Sequence, residues 1–119
     1  MHIHHLALRV RDFEKSLHFY QTLTELKIHT QFSANGGSIA YLQNGSGETQ
    51  LELIGMPEGE TVKASGMFLC FGTEDIASAH ERAVLHGMNP SDIRQPEPDA
   101  CYFYVYDPDG LSVQVREYR

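Results

Sequence analysis

The first residues along the chain that could take part in catalysis or metal binding are three closely spaced histidines, His2, His4 and His5. Imidazole nitrogens bind divalent metals and exchange protons near neutral pH. Successive side chains of a strand point to opposite faces, so these three rings cannot all converge on one ion. The alternation of residues 3–10 puts His5 on the polar face and His4 on the apolar face. We therefore expect His5 to act as a metal ligand or as a metal-free hydrogen-bonding group, and the other two to be structural or exposed.

Glu52 is a carboxylate that could bind a metal or exchange a proton, as His5 could. It lies between Leu51 and Leu53 in the alternating segment 49–54. A carboxylate oxygen is a hard metal ligand and can act as a general base. Alternation also fits a plain solvent-facing glutamate on an amphipathic strand. The pattern therefore leaves both interpretations of Glu52 open.

Near the end of the chain, Tyr102, Tyr104 and Tyr106 form one face of a predicted strand whose other face is apolar. Their rings and hydroxyl groups could line a ligand cleft, or they could contact a second chain. Arg9 and Arg116 are expected on the cleft side of their strands. Each could hold an anionic ligand or form a solvated ion pair.

The predicted elements that must position these groups come in a definite order. Residues 3–10 predict a strand, and Asp12 is a good N-cap for a helix over Phe13 to Leu23. Further strands, separated by glycine-containing turns, are predicted at residues 27–33, 38–43 and 49–54. The first half of the chain is therefore β-α-β-β-β.

The same order restarts after a segment at residues 55–65 that contains Pro, Gly and charged residues. A strand at residues 67–71 precedes Asp75, which is expected to cap a second helix that stops before Gly87. The apolar positions of that helix are Ile76, Ala79, Ala83 and Val84, and extended segments follow at residues 91–94, 101–106 and 111–117. A shift of 63 residues superposes Asp12 on Asp75, which favours an internal duplication.

Composition excludes several classes of protein. A chain of 119 residues suits one domain, and its net charge of −7 with scattered basic residues argues against nucleic acid as a partner. No segment approaches the roughly 20 apolar residues that cross a bilayer, and the first residues do not resemble a secretory signal. The two cysteines, Cys70 and Cys101, form no paired motif. We expect a cytoplasmic protein without a membrane partner.

Three segments of the sequence resemble the vicinal oxygen chelate superfamily of glyoxalase I, extradiol dioxygenases and bleomycin-resistance proteins: residues 5–20, Gln50-Leu-Glu-Leu-Ile54 and Tyr104-Val-Tyr-Asp-Pro-Asp-Gly110. The resemblance implies an α+β fold in which two β-α-β-β-β modules form an open, barrel-like cleft. Module one would span about 1–55, the linker 56–65 and module two 66–119, within one domain. It also implies a homodimer that binds a small molecule.

The resemblance further implies a metal site with one ligand from each of four strands, at His5, Glu52, Phe68 and Gln114. The third position rests on the 63-residue shift from His5, and Met67 would replace Phe68 if the register slipped by one. His5 and Glu52 are strong ligands, Gln114 is a weak one, and Phe68 cannot bind a metal. This pattern disfavours the dioxygenase and fosfomycin-resistance activities.

Two functions follow from the resemblance. The first is a lyase or isomerase of the glyoxalase I kind, with a divalent ion (Zn, Ni, Mn or Mg) on His5, Glu52 and Gln114, and Glu52 as the base. The second is a metal-free protein that binds an antibiotic or another small molecule, as bleomycin-resistance proteins do. The residues expected to bind the substrate or ligand are Arg9, Phe68, Tyr102, Tyr104 and Arg116.

Overall fold

The computed structural model describes residues 1–118, which form eight strands and two helices in an α+β arrangement. The first five elements are β1 (His5–Arg9), α1 (Phe13–Thr24), β2 (Lys27–Ala34), β3 (Gly37–Gln43) and β4 (Gln50–Gly55). The other five are β5 (Leu69–Thr73), α2 (Ile76–Leu85), β6 (Arg94–Glu97), β7 (Ala100–Tyr106) and β8 (Ser112–Glu117). The repeated β-α-β-β-β order is the predicted one.

The first module is a four-stranded sheet in the order β1-β4-β3-β2. β1 runs parallel to β4, and the other neighbours are antiparallel. The side chains on one face of the sheet are buried with the apolar stripe of α1, and the largest of these buried groups are Tyr20, Leu23, Leu42 and Leu53. The opposite face of the sheet carries the candidate polar groups, because side chains alternate along each strand.

The second module repeats this topology in the order β5-β8-β7-β6, with β5 parallel to β8. Phe103 and Val113 are fully buried, together with Ala83 from α2. The tyrosines of β7 therefore lie on the face of the sheet that points away from α2, as the alternation predicts. Tyr102 and Tyr104 are partly exposed on that face. Tyr106, at the end of β7, is 72% exposed.

Both helices begin at the predicted aspartates. Asp12 Oδ1 accepts a hydrogen bond from the Lys15 amide at 3.1 Å, and Asp75 Oδ1 accepts one from the Ser78 amide at 3.1 Å. Asp75 Oδ2 also accepts from Ser78 Oγ at 2.7 Å. These bonds satisfy amides that the first helical turn leaves without an intrahelical partner. The predicted helix starts are confirmed.

Three details of the predicted elements are wrong. The strand expected at residues 67–71 begins only at Leu69, so Met67 and Phe68 precede it and are each 48% exposed. The extended segment expected at residues 91–94 is instead β6 at Arg94–Glu97, whose pairing with β7 is irregular around Pro96, a residue without an amide hydrogen. Val84 is 57% exposed on α2 and does not belong to the core.

The chain divides into two compact units, Met1–Lys63 and the segment from Ala64 onward. The division falls within the predicted linker. The first part of that linker is tied to the first unit, because the Val62 amide donates to the Arg9 carbonyl oxygen at 2.6 Å. Neither described helix is long and apolar enough to cross a membrane.

Candidate functional site

In the first module, His5, Tyr41 and Glu52 meet on the face of the sheet opposite α1. Tyr41 and Glu52 are cross-strand partners on β3 and β4, and Glu52 is also in register with Ala7 of β1. His5 Nε2 lies 3.3 Å from Glu52 Oε1, and the His5 and Tyr41 rings meet edge to face at 5.7 Å. Glu52 is only 7% exposed, so it is not the solvent-facing glutamate that alternation alone allows.

The Glu52 carboxylate is engaged by a tyrosine as well as by a histidine. Its hydrogen bond with Tyr41, together with burial and the negative charge of Glu52, raises the pKa of the Tyr41 hydroxyl. Tyr41 is therefore a neutral donor to the carboxylate at physiological pH. The two contacts hold Glu52 in one orientation, as a metal ligand or a general base requires.

His4 joins this cluster, which the strand alternation did not predict. His4 Nδ1 lies 2.8 Å from His5 Nδ1, and the two rings meet edge to face at 5.1 Å. The expected placement of His4 on the apolar face is wrong because β1 begins at His5, so the strand pattern does not extend to His4. The other expectation, that His4 is exposed, is correct.

In the second module, Cys70, Tyr104 and Gln114 lie in register on β5, β7 and β8. Cys70 Sγ donates to Gln114 Oε1 at 3.0 Å, and Gln114 Nε2 donates to the Tyr104 hydroxyl oxygen at 2.7 Å. The Phe68 ring meets the Tyr104 ring edge to face at 5.5 Å. Phe68, Tyr102, Tyr104 and Arg116 are referred to below as the aromatic face of the second module.

The two modules place matching residues at matching positions. Glu52 and Tyr41 are replaced by Gln114 and Tyr104, with the same cross-strand pairing. Phe68 contacts Tyr104 as His5 contacts Tyr41, with centroid distances of 5.5 and 5.7 Å. This geometry supports the alignment of Phe68, rather than Met67, with His5. Tyr41 is a residue that the sequence reasoning missed, although the same 63-residue shift relates it to Tyr104.

Arg116 and Tyr102 extend the aromatic face. The guanidinium carbon of Arg116 lies 5.7 Å from the centroid of the Tyr102 ring, and the Tyr102 and Tyr104 rings are 5.7 Å apart. An arginine over a ring is attracted by the negative charge density of the ring face. A cavity of about 500 Å³ adjoins this region, and its lining residues are Cys70, Gly72, Asp99, Arg116, Glu117 and Tyr118.

The structure does not bring Arg9 to the His5–Glu52 pair. Arg9 lies four residues further along β1, which corresponds to roughly 13 Å of strand. There it contacts the loop that follows β4, and a Cβ atom at Gly59 would lie 3.3 Å from the Arg9 guanidinium. The expectation that Arg9 contacts the ligand receives no support from this placement.

The donor set fits a resident divalent metal poorly. His5 and Glu52 offer one imidazole nitrogen and one carboxylate, whereas protein zinc sites use three or four such ligands. Phe68 has no donor atom, and the Gln114 amide oxygen already accepts from Cys70. Among residues 1–118, no three His, Cys, Asp or Glu side chains are arranged to hold an ion.

These features define a class of fold: two α+β modules, each an open mixed sheet with one helix. The sequence profile of the Glyoxalase/Bleomycin resistance protein/Dioxygenase superfamily matches residues 2–115. The chain therefore belongs to this superfamily. A comparison with curated proteins finds no significant match.

Several solved structures share the fold. The TnmS3 antibiotic-binding protein from Streptomyces sp. CB03234 is 19% identical, with 100% of this chain and 97% of that chain aligned at a TM-score of 0.78. A glyoxylase/bleomycin resistance protein/dioxygenase domain from Frankia sp. EAN1pec is 20% identical, with 100% and 98% aligned at 0.79. The trypanothione-dependent glyoxalase I of Leishmania major is 20% identical, with 98% and 86% aligned at 0.77.

Proposed function

We propose that this chain binds an aromatic small molecule on the aromatic face of the second module, without a resident metal. The observation that carries the proposal is the exposed aromatic cluster around Tyr104. Phe68 remains 48% exposed although its ring already contacts Tyr104. A flat ligand would remove this apolar surface from water and add ring contacts.

The chemistry of the neighbouring groups fits the same role. Gln114 has both amide atoms engaged within the module, and the positions that match His5 and Glu52 carry no charged donor. Aromatic walls with a few oriented polar groups are typical of small-molecule sites. The antibiotic-binding neighbour from Streptomyces has the same fold, which fits this proposal.

The test is direct binding of naphthalene probes, measured by calorimetry or equilibrium dialysis. The chain contains no tryptophan, so no indole emission overlaps the fluorescence of a naphthalene probe. Phe68→Ala is expected to weaken binding about tenfold, because an aromatic contact and its buried area are lost. Leu85→Ala is the control, since it removes a side chain that is 78% exposed on α2. Equal binding by the two variants would contradict the proposal.

A second candidate is a lyase or isomerase of the glyoxalase I kind, and the His5–Glu52–Tyr41 cluster favours it. Glu52 is buried and oriented by two neighbours, so it could take a proton from carbon next to a carbonyl group. This candidate also requires a divalent ion such as zinc, nickel, manganese or magnesium, and His5 and Glu52 are the strong donors that the first module brings into direct contact.

Metal content and turnover together test this second candidate. It predicts one divalent ion per chain in the purified protein, reduced in His5→Ala, and isomerisation of a thiohemiacetal that Glu52→Gln abolishes. A metal-free protein that binds naphthalene probes would instead support the binding function.

A further inference from the structure

We propose that Tyr104 is the hydrogen-bond donor to an oxygen atom of the ligand, and that Cys70 and Gln114 are positioning residues that orient its hydroxyl group. The ligand class is then an aromatic molecule bearing a carbonyl, carboxylate or phenolate oxygen. This inference rests on the proposed binding function of the aromatic face and specifies its selectivity.

The direction of the hydrogen bonds around Gln114 carries the argument. The Cys70 thiol donates to Oε1, which leaves Nε2 to donate to the Tyr104 hydroxyl oxygen at 2.7 Å. A hydroxyl that accepts in this way keeps its own hydrogen for another acceptor. In residues 1–118, no other protein group forms a hydrogen bond with this hydroxyl.

The state of the Cys70 thiol supports this direction. Partial desolvation of the thiol raises the pKa of Cys70, and the nearby positive charge of Arg116 lowers it by a smaller amount. The thiol is therefore protonated near neutral pH and has a hydrogen to donate.

The first module has the same cross-strand pairing, but its tyrosine hydrogen bond runs in the opposite direction. Tyr41 occupies the position of Tyr104, but its partner is the Glu52 carboxylate, which can only accept. The Tyr41 hydrogen is therefore engaged, and its oxygen offers only lone pairs. Replacing a carboxylate with an amide at the matching position thus converts the tyrosine from an engaged donor into an available one.

Arg116 adds to the preference of this face for a ligand that carries an acceptor oxygen. It pairs in register with Tyr102 on the neighbouring strand, one step along the face from the Tyr104–Gln114 pair. Diagonal neighbours on a sheet face lie roughly 7–8 Å apart, within reach of a long side chain. If an aromatic ligand stacks on this face, its acceptor oxygen would lie near both the Tyr104 hydroxyl hydrogen and the positive charge of Arg116.

The experiment compares 2-acetylnaphthalene, which has a neutral carbonyl acceptor, with 2-ethylnaphthalene, which has none. The unmodified chain is expected to bind the ketone about tenfold more tightly, the worth of one hydrogen bond to an oriented donor. Tyr104→Phe is expected to abolish the difference by weakening the ketone alone. Because the ketone is neutral, the carboxylate that Gln114→Glu introduces does not repel it.

Gln114→Glu tests the positioning role. The carboxylate has no hydrogen to donate, so Tyr104 should turn toward it and the ketone preference should disappear, while 2-ethylnaphthalene binds as before. Cys70→Ala should reduce the preference, and Cys70→Ser should restore it because a hydroxyl can also donate to Oε1. The NMR shift of ¹³Cζ-labelled tyrosine, which responds to the direction of the phenol hydrogen bond, should move in Gln114→Glu.

The outcomes separate the two proposals. If neither naphthalene binds, the binding function itself is overturned. If both bind and Tyr104→Phe weakens them equally, Tyr104 serves only as an aromatic surface and its donor role is wrong. A ketone preference that survives Gln114→Glu would overturn the positioning role of Gln114.

Discussion

Glu52 and Gln114 differ by one terminal group, yet they give the two sheet faces different chemistry. The Glu52 carboxylate is paired with His5 and accepts from Tyr41, so the first face holds an oriented negative charge. The Gln114 amide both accepts and donates, so the second face is neutral at the matching point. The residue at one position therefore decides which tyrosine hydroxyl is available.

The raised pKa of Tyr41 gives a test at the residue scale. The hydrogen bond to Glu52 favours the protonated phenol, so its contribution to stability is present below the usual tyrosine pKa and is lost as the pH rises through the raised value. We expect the ultraviolet titration of the chain to contain a late-titrating tyrosine that Tyr41→Phe removes. In Glu52→Gln that tyrosine should titrate earlier. If the late step remains in Tyr41→Phe, the assignment is wrong.

Phe68 allows the alignment of the modules to be tested. Phe68→His adds an imidazole at the position matching His5, and we expect it to tighten zinc or nickel binding by about tenfold or more. Some loss of stability should accompany the change, because the ring contact with Tyr104 is reduced. Met67→His is the matched control, since Met67 is equally exposed at 48%. A gain in the Met67 variant alone would favour the shifted register.

At the scale of elements, the two helix caps make separate predictions. Asp12 accepts from the Lys15 amide and is the N-cap of α1. Asp12→Ala is expected to lower the free energy of unfolding by about 1 kcal/mol, measured by urea titration, without changing the binding of naphthalene probes. An unchanged unfolding midpoint would contradict the capping role.

The Asp75 cap should depend on pH. Hydrogen bonds from the Ser78 hydroxyl and the Ser78 amide lower the pKa of Asp75. The stabilisation is therefore present above the usual aspartate pKa and is lost as the pH falls through the lowered value. We expect Asp75→Ala to lower Tm at neutral pH and to match the unmodified chain in strong acid. Asp75→Asn keeps a capping oxygen but does not titrate. It should therefore lose the pH dependence while lowering Tm less than Asp75→Ala does.

At the scale of the whole molecule, we propose that the chain forms a homodimer. β2 is an edge strand that is exposed along nearly its whole length, including Ile28 and Phe32, and β6 is an exposed edge in the second module. Unprotected edges with apolar side chains are commonly covered by another chain. Light scattering at micromolar concentration should give twice the mass of the chain, and a monomer would overturn the proposal.

Local pattern was sufficient to predict the element order, the helix starts at Asp12 and Asp75, and the exposed tyrosine face of β7. Each of these depends on residues within one or two turns or along one strand, where alternation and capping act directly. The superfamily followed from three short segments for the same reason. The strand start near Phe68 was misplaced because an apolar run does not show where the pairing of β5 with β8 begins.

The partners of the candidate residues were decided only by the tertiary structure. The sequence identified His5, Glu52 and Gln114, but not that Tyr41 holds Glu52 or that Cys70 and Tyr104 hold Gln114. Those contacts join residues 10 to 44 positions apart, and the register between strands brings them together. Register depends on the packing of the whole sheet against its helix, whereas residue type and alternation are set along the chain itself.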